Sequence, residues 1–294
     1  MREGILVRGR GGIYTAREAD GAEYTLRAKK KFRRQRLTPL VGDRVLFTPG
    51  QGEDEHGWVE EILPRVSAFV RPPAANVTMM VIVTAPEPEP DYLLIDRMLV
   101  TVRRAGMKAL ILVNKRELDP KLEEIMTRQY RGAEAAVFGL SALGGEGVDR
   151  LPGLLKGETA CFSGQSGVGK STLINALLDI NTETGEISRK IARGKNTTRH
   201  VELFTLKSLS VMDTPGFSLF TISDETEDPV KLREYYPEFR PYLGLCRFDP
   251  CYHDREPGCR VTQAVREGDI DPDRHERYTR LLMEQRERWR NRYD

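Results

Sequence analysis

The stretch that most constrains this chain is Gly164-Gln165-Ser166-Gly167-Val168-Gly169-Lys170-Ser171, which fits G-x-x-x-x-G-K-[ST]. Such a loop needs a strand to enter it and a helix to leave it. Its glycines let the backbone curl so that successive N–H groups point at phosphate oxygens. Thr159-Ala160-Cys161-Phe162 reads as the short buried strand before it, and Ser171, Thr172 and the residues through Leu178 as the helix after it. The positive end of that helix would face the phosphates. Lys170 supplies a point charge for the β- and γ-phosphates, and Ser171 offers a hydroxyl to Mg²⁺. A glycine-rich turn that binds nothing is the alternative, and the strand–loop–helix setting argues against it.

A chain of 294 residues is long enough for two or three domains. The net charge is only +2, so any basic surface must be local. Met1-Arg2-Glu3-Gly4-Ile5-Leu6-Val7-Arg8 has no signal-peptide core, and no run approaches the ~18 apolar residues of a membrane helix. A cytoplasmic chain with no membrane partner is expected. Of four cysteines, three crowd together late in the sequence, which suits a reducing compartment and a metal site better than disulfides.

Residues 1–70 alternate short strand-like pieces with turns. Gly4–Val7, Ile13–Ala16, Glu23–Leu26, Arg44–Phe47 and Gly57–Leu63 make about five strands, which suggests a small barrel of the OB type. Between them Arg27–Arg36 holds seven Lys or Arg in ten residues, with Phe32 in the middle. The run reads as a phosphate-contacting RNA surface with Phe32 as a candidate stacking residue. A solvated charged loop and a nuclear-localisation tract are the alternatives.

Residues 71–222 alternate strands and helices, the pattern of a doubly wound α/β domain. Arg71-Pro72-Pro73 reads as a linker. Val77–Val83 and Ala109–Val113 are continuous apolar strands of the kind buried on both faces of a parallel sheet. Leu93–Ala105 and Lys121–Tyr130 have helical spacing, and Ala135–Leu140 and Leu206–Met212 read as further strands. Ligands bind such sheets at the carboxyl ends of the strands, where Asn114, Ser141 and Gly164 fall. Later come Gly194-Lys195-Asn196-Thr197-Thr198-Arg199-His200 and Asp213-Thr214-Pro215-Gly216. Asp213 can hold Mg²⁺ through water, the Gly216 amide can touch a γ-phosphate, and a threonine of the earlier loop can close on both.

Asn114-Lys115-Arg116-Glu117, Ser141-Ala142, Gly164–Ser171, Thr197-Thr198 and Asp213–Gly216 are the elements of a GTPase in rotated order. With a small barrel before them and a Cys/His cluster after, the chain resembles the RsgA (YjeQ/YloQ) family of circularly permuted, ribosome small-subunit-dependent GTPases. The resemblance covers essentially the whole chain. It implies GTP hydrolysis to GDP in late small-subunit maturation, with GTP, Mg²⁺ and one structural Zn²⁺ bound. The implied partners are the small ribosomal subunit and its rRNA, and a monomer is expected. Two positions depart from the usual pattern. Glu117 stands where an aspartate reads guanine, which loosens selectivity over ATP. Asn196 stands where a histidine is frequent, leaving His200 as the one loop histidine to position water, against the plainer reading of a strand-end residue. Phe217 follows Gly216, where Ras-like enzymes place a glutamine that orients water, so slow unstimulated turnover is expected.

In residues 223–294, Cys246, Cys251, His253 and Cys259 form C-x4-C-x-H-x5-C, a closed donor set suited to structural Zn²⁺. With Pro250, Gly258 and polar residues around it, the segment is expected to lack a core that could replace the metal. Val261–Gly268 reads as a short helix. A longer helix from Pro272 through Trp289 is either a solvated helix packing one apolar stripe or a contact for rRNA or ribosomal protein. Two rival functions remain at this stage: an RNA-binding scaffold that holds GTP without turnover, and an ATP-dependent enzyme of the same fold.

Overall fold

The first five strands close on themselves. They are β1 (Arg2–Arg10), β2 (Ile13–Arg17), β3 (Glu23–Ala28), β4 (Arg44–Thr48) and β5 (Gly57–Ile62). β1 pairs with both β2 and β4, and β3 runs parallel to β5, which returns antiparallel to β4. The order 1-2-3-5-4-1 is that of an OB barrel. The computed structural model describes residues 1–50, 55–70, 72–181, 201–205, 209–213 and 227–292.

Leu6, Ala16, Leu26, Val45, Phe47 and Val59 fill the barrel. Phe32 joins them. The basic run folds into a short helix, α1 (Lys30–Arg34), that turns Phe32 inward to 3% exposure. The expected stacking residue is therefore a core plug. Burying a phenylalanine stabilises by about 1.5–3 kcal/mol, while Lys30, Lys31 and Arg34 stay in water. The segment read as a linker also differs. β6 (Ala68–Phe69) and β7 (Ala74–Ala75) form a small hairpin, and its Phe69 and Ala74 share a core with Val7 and Val41 of the barrel region and Val77, Met80 and Ile82 of the next unit.

Five parallel strands follow in the order β10-β9-β8-β11-β13: β8 (Met79–Thr84), β9 (Lys108–Val113), β10 (Ala135–Gly139), β11 (Thr159–Gly164) and β13 (Ser210–Asp213). β12 (Glu202–Thr205) is antiparallel beside β13. β8 is buried on both faces, as its apolar run requires. Met80 and Ile82 point to α2 (Tyr92–Arg104) and α3 (Lys121–Gln129), whereas Met79, Val81 and Val83 point to α4 (Leu151–Leu154) and α5 (Lys170–Asn181). The chain winds outward from β8 to β10 and then returns to β11 on the other side of β8. The crevice between β8 and β11 is the topological switch point at which such sheets bind ligands. Leu206–Met212, expected as one strand, is represented by Ser210–Asp213, residues 206–208 lying outside the described set.

β12 also pairs with β1, Arg8 standing opposite Glu202, so that barrel and parallel sheet form one sheet of eleven strands among the described residues. Beyond them, two 3₁₀ segments (Pro229–Tyr235 and Pro237–Tyr242) and two helices (Arg260–Glu267 and Pro272–Arg290) pack together. Contrary to expectation this unit has a core of its own. Tyr236, Phe239 and Tyr278 stand with ring centroids 4.8–5.1 Å apart, backed by Leu232, Val261, Leu281 and Leu282. The unit docks on α2 through Leu93 and Val100 and through a buried ionic cluster. There Asp96 forms an ion pair with Arg274 at 2.6 Å and accepts hydrogen bonds from Arg277 at 2.7 Å and from the Tyr130 hydroxyl at 2.9 Å, and Arg274 also donates to Glu238 at 2.8 Å.

Candidate nucleotide-binding site

β11 delivers the glycine-rich loop to the switch point. Gly164 pairs with Val83 of β8 at φ 144°, and a Cβ there would lie 2.1 Å from the Val83 carbonyl oxygen. Gly169, at φ 94°, passes so close to Asn114 that a Cβ would lie 2.3 Å from its Nδ2. Both positions therefore require glycine. Val168 is fully buried and anchors the loop, while Ser166, Gly167, Ser171 and Thr172 are exposed at its mouth. Lys170 opens α5 and folds back over the loop, its Nζ donating to the carbonyls of Gly164 at 2.8 Å and Gln165 at 2.6 Å. Partial burial lowers the pKa of that ammonium, because the charge has given up water.

The loop is held from two sides. Asn114, 2% exposed at the end of β9, donates from Nδ2 to the Val168 carbonyl (2.8 Å) and accepts the Ala142 amide at Oδ1 (2.9 Å). One side chain thus ties together three segments that the sequence separates. Gln165 makes the second tie, accepting the Asp91 amide at 2.9 Å and donating to the Glu89 carbonyl at 3.0 Å. Asp91 caps α2, so the phosphate loop is joined to the helix that carries the C-terminal unit. Gln165 was expected as part of the phosphate loop but not as its tie to α2, and Asp96 did not stand out in the sequence. The one signal for Asp96 was a carboxylate on the apolar stripe of Ile95, Met98, Leu99 and Val102.

The remaining expected base-reading residues gather beside Asn114. Lys115, at φ 59°, donates to the Glu87 carbonyl at 2.5 Å. The Arg116 amide donates to the Leu140 carbonyl (3.1 Å), and its guanidinium pairs with Glu123 at 3.1 Å and Glu146 at 2.6 Å. Arg116 thus braces the turn from outside. Ser141 is buried and accepts the Gly144 amide at 2.9 Å, which shapes the Ser141-Ala142 turn. Glu117 is exposed at the edge of this group. Asp213 ends β13, its backbone paired with Glu202 next to β11. Thr197, Thr198, His200 and Gly216 lie outside the described residues, as do Asn196 and Phe217.

A second site lies in the C-terminal unit. The donor atoms of Cys246, Cys251, His253 and Cys259 lie within 4.8 Å of one another. A tetrahedron with Zn–S bonds of about 2.3 Å has edges of about 3.8 Å, so the cluster is the right size for one ion. His253 turns Nδ1 toward the sulfurs of Cys246 (3.6 Å) and Cys259 (3.4 Å). The amides of Arg260 and Thr262 point at the same two sulfurs, at 3.3 and 3.5 Å, where they favour thiolate. Burial pushes the Cys251 thiol up to about 12, so that thiol in particular would need a cation to be held deprotonated. The residues present fit such a group.

Comparison with known proteins agrees with this geometry. The RsgA GTPase family model matches residues 62–223, and the RsgA N-terminal domain model matches residues 3–59. A protein of Ruminiclostridium cellulolyticum named small ribosomal subunit biogenesis GTPase RsgA is 44% identical over 285 residues, covering 96% of this chain and 93% of the relative. Among solved structures, YjeQ from Thermotoga maritima superposes with a TM-score of 0.80 at 30% identity, over 97% of this chain and 98% of its own. YloQ, described as a circularly permuted GTPase, gives 0.77 at 27% identity, over 98% of this chain and 96% of its own.

Proposed function

The chain belongs to the RsgA GTPase family, and from that premise we propose where it holds GTP, how it cleaves it and which partner sets the rate. It is a GTP-hydrolysing enzyme of ribosomal subunit biogenesis. The observation that supports the site most directly is the position of Asn114, bonded at once to the phosphate loop and to the Ser141-Ala142 turn. Guanine lies among Asn114, Lys115, Ser141, Ala142 and Glu117, and the phosphates lie along Gly164–Thr172. Glu117 accepts the guanine N–H groups in place of an aspartate.

Lys170 exchanges its two loop carbonyls for the β- and γ-phosphate oxygens when nucleotide enters. Ser171 and, through water, Asp213 would hold Mg²⁺, which would neutralise charge on those oxygens. Thr197, Thr198 and the Gly216 amide close on the γ-phosphate. Phe217 has no polar atom to orient water, so the attacking water is placed by a partner or by His200. The partner is the small ribosomal subunit, reached through its rRNA by a chain that acts as a cytoplasmic monomer. The working units are residues 1–70, 71–222 and 223–294, the last holding one structural Zn²⁺ on Cys246, Cys251, His253 and Cys259.

The test is phosphate release from GTP by the purified chain, alone and with purified small subunits. We expect slow release alone and acceleration by orders of magnitude with subunits, lost in Lys170→Ala. Equal rates with and without subunits would overturn the reading. ATP competition, repeated with Glu117→Asp, measures how far the longer acid has relaxed base selection.

A further inference from the structure

We propose that the outer face of the barrel at β3 and β5 is a stacking site for an unpaired RNA base, with Trp58 as the platform. The proposal rests on the reading that the barrel contacts rRNA, and it names the face and the chemistry that do so. Trp58 is 46% exposed. Along β5 the side chains alternate, with Gly57 and Val59 facing the core and Trp58 facing water. Nearly half of the indole surface is thus left open to a ligand.

Single exposed apolar residues are ordinary; the neighbours set this one apart. The strand register places Arg27 of β3 directly opposite Trp58, Ile13 of β2 opposite Arg27, and Thr48 of β4 opposite Trp58 on its other side. Ile13 is itself 39% exposed. An apolar side chain, a guanidinium and an indole thus form a row across adjacent strands. Among the described residues Arg27 pairs with no carboxylate. The nearby Glu60 is engaged by Lys29 and the Thr48 hydroxyl, so it does not compete for Arg27.

Cations reach the same face: Lys29 pairs with Glu60, two residues along β5 from Trp58, and the Lys31 charge acts on that carboxylate too. Lys30, Lys31, Arg34 and Arg36, all exposed, follow Arg27 within ten residues. A flat aromatic surface beside a guanidinium, with a basic run following it in the chain, suits a polyanion whose bases are free to stack. A duplex keeps its bases stacked on each other, so the fitting partner is a single-stranded segment. With Phe32 buried in the barrel, Trp58 is the aromatic this face offers.

The experiment uses the full-length chain. The sequence has two tryptophans, so Trp289→Phe leaves Trp58 as the sole tryptophan, and its emission is excited selectively over that of the tyrosines. An unstructured RNA of about 12 nucleotides and a duplex of the same sequence are titrated at two salt concentrations. We expect quenching by the single strand and not by the duplex. Trp58→Ala should weaken single-strand binding about 5- to 100-fold with an unchanged salt slope, and Trp58→Phe should restore most of it. The triple variant Lys30→Ala, Lys31→Ala, Arg34→Ala should weaken binding and flatten the salt dependence. An unchanged far-ultraviolet spectrum and melting transition, together with unchanged GDP affinity, confirm that each variant is folded. If the triple variant loses RNA and Trp58→Ala does not, stacking is wrong while RNA contact by the barrel stands. If neither changes RNA binding, that broader reading fails too. If Trp58→Ala weakens small-subunit binding but not RNA binding, the face docks protein and the proposal is overturned.

Discussion

Asp96 shows how much one residue can carry. It is fully buried on α2, and its two oxygens receive Arg274 and Arg277 from a helix nearly 180 positions later, 181 in the case of Arg277. Both guanidiniums also lie over the Tyr130 ring, at 5.3 and 5.7 Å from its centroid. The balance holds only as a set. Asp96→Ala would leave Arg277 without a carboxylate and Arg274 with Glu238 alone. Breaking a buried pair by removing one partner costs about 3–5 kcal/mol. Against total stabilities of about 5–15 kcal/mol that is a large share, so the urea midpoint should fall sharply. A loss under about 1 kcal/mol, within the usual range for exposed pairs, would show that Glu238 takes over the cluster. At the loop, Gly164→Ala should abolish nucleotide binding in a binding titration, because the new methyl meets the Val83 carbonyl, a backbone atom fixed in the sheet.

At the scale of elements, what periodicity carries was legible. The helix expected at Leu93–Ala105 is Tyr92–Arg104, and the apolar run around Val81 is a strand packed on both faces. The phosphate loop was legible because its glycines recur at a fixed spacing in one short stretch, although the contacts that require Gly164 and Gly169 come from Val83 and Asn114. What depends on distant partners was not. A run of seven cations around Phe32 looks like surface until the barrel interior is known to need a ring. The aromatic core of the C-terminal unit was hidden because Tyr236, Phe239 and Tyr278 are spread over two segments with no common period. That core alters what metal removal should do. Chelation should take one zinc per chain and lower the melting temperature. The helices Arg260–Glu267 and Pro272–Arg290 should keep most of their far-ultraviolet signal, since Val261, Tyr278, Leu281 and Leu282 remain packed. Full loss of helical signal would mean that the ion, not the rings, holds the unit together.

Across the whole molecule the arrangement of strands links the nucleotide site to the barrel. β12 lies between the two segments proposed to sense the γ-phosphate: Thr197 and Thr198 precede it in the chain, and its partner β13 ends at Asp213. Its other edge takes β1, with Arg8 and Glu202 paired in the ladder and 3.6 Å apart at their charged ends. Val201 and Leu203 beside that edge pack in the same core as Val7 and Val41 of the barrel region. A join this narrow, one ladder pair wide among the described residues, resists a change of register less than the long β8–β9 and β9–β10 ladders do. If ligand shifts β12, the strain should therefore appear at β1 and fade toward β10. Hydrogen exchange with GDP and with a non-hydrolysable GTP analogue tests this. Protection should differ between the two states at Arg2–Arg10 and Glu202–Thr205, and it should match at Lys108–Val113 and Ala135–Gly139. Identical protection at β1 in both states would show that the barrel rides on the sheet without sensing the nucleotide, and that any signal to the ribosome leaves by way of Gln165, α2 and the C-terminal unit instead.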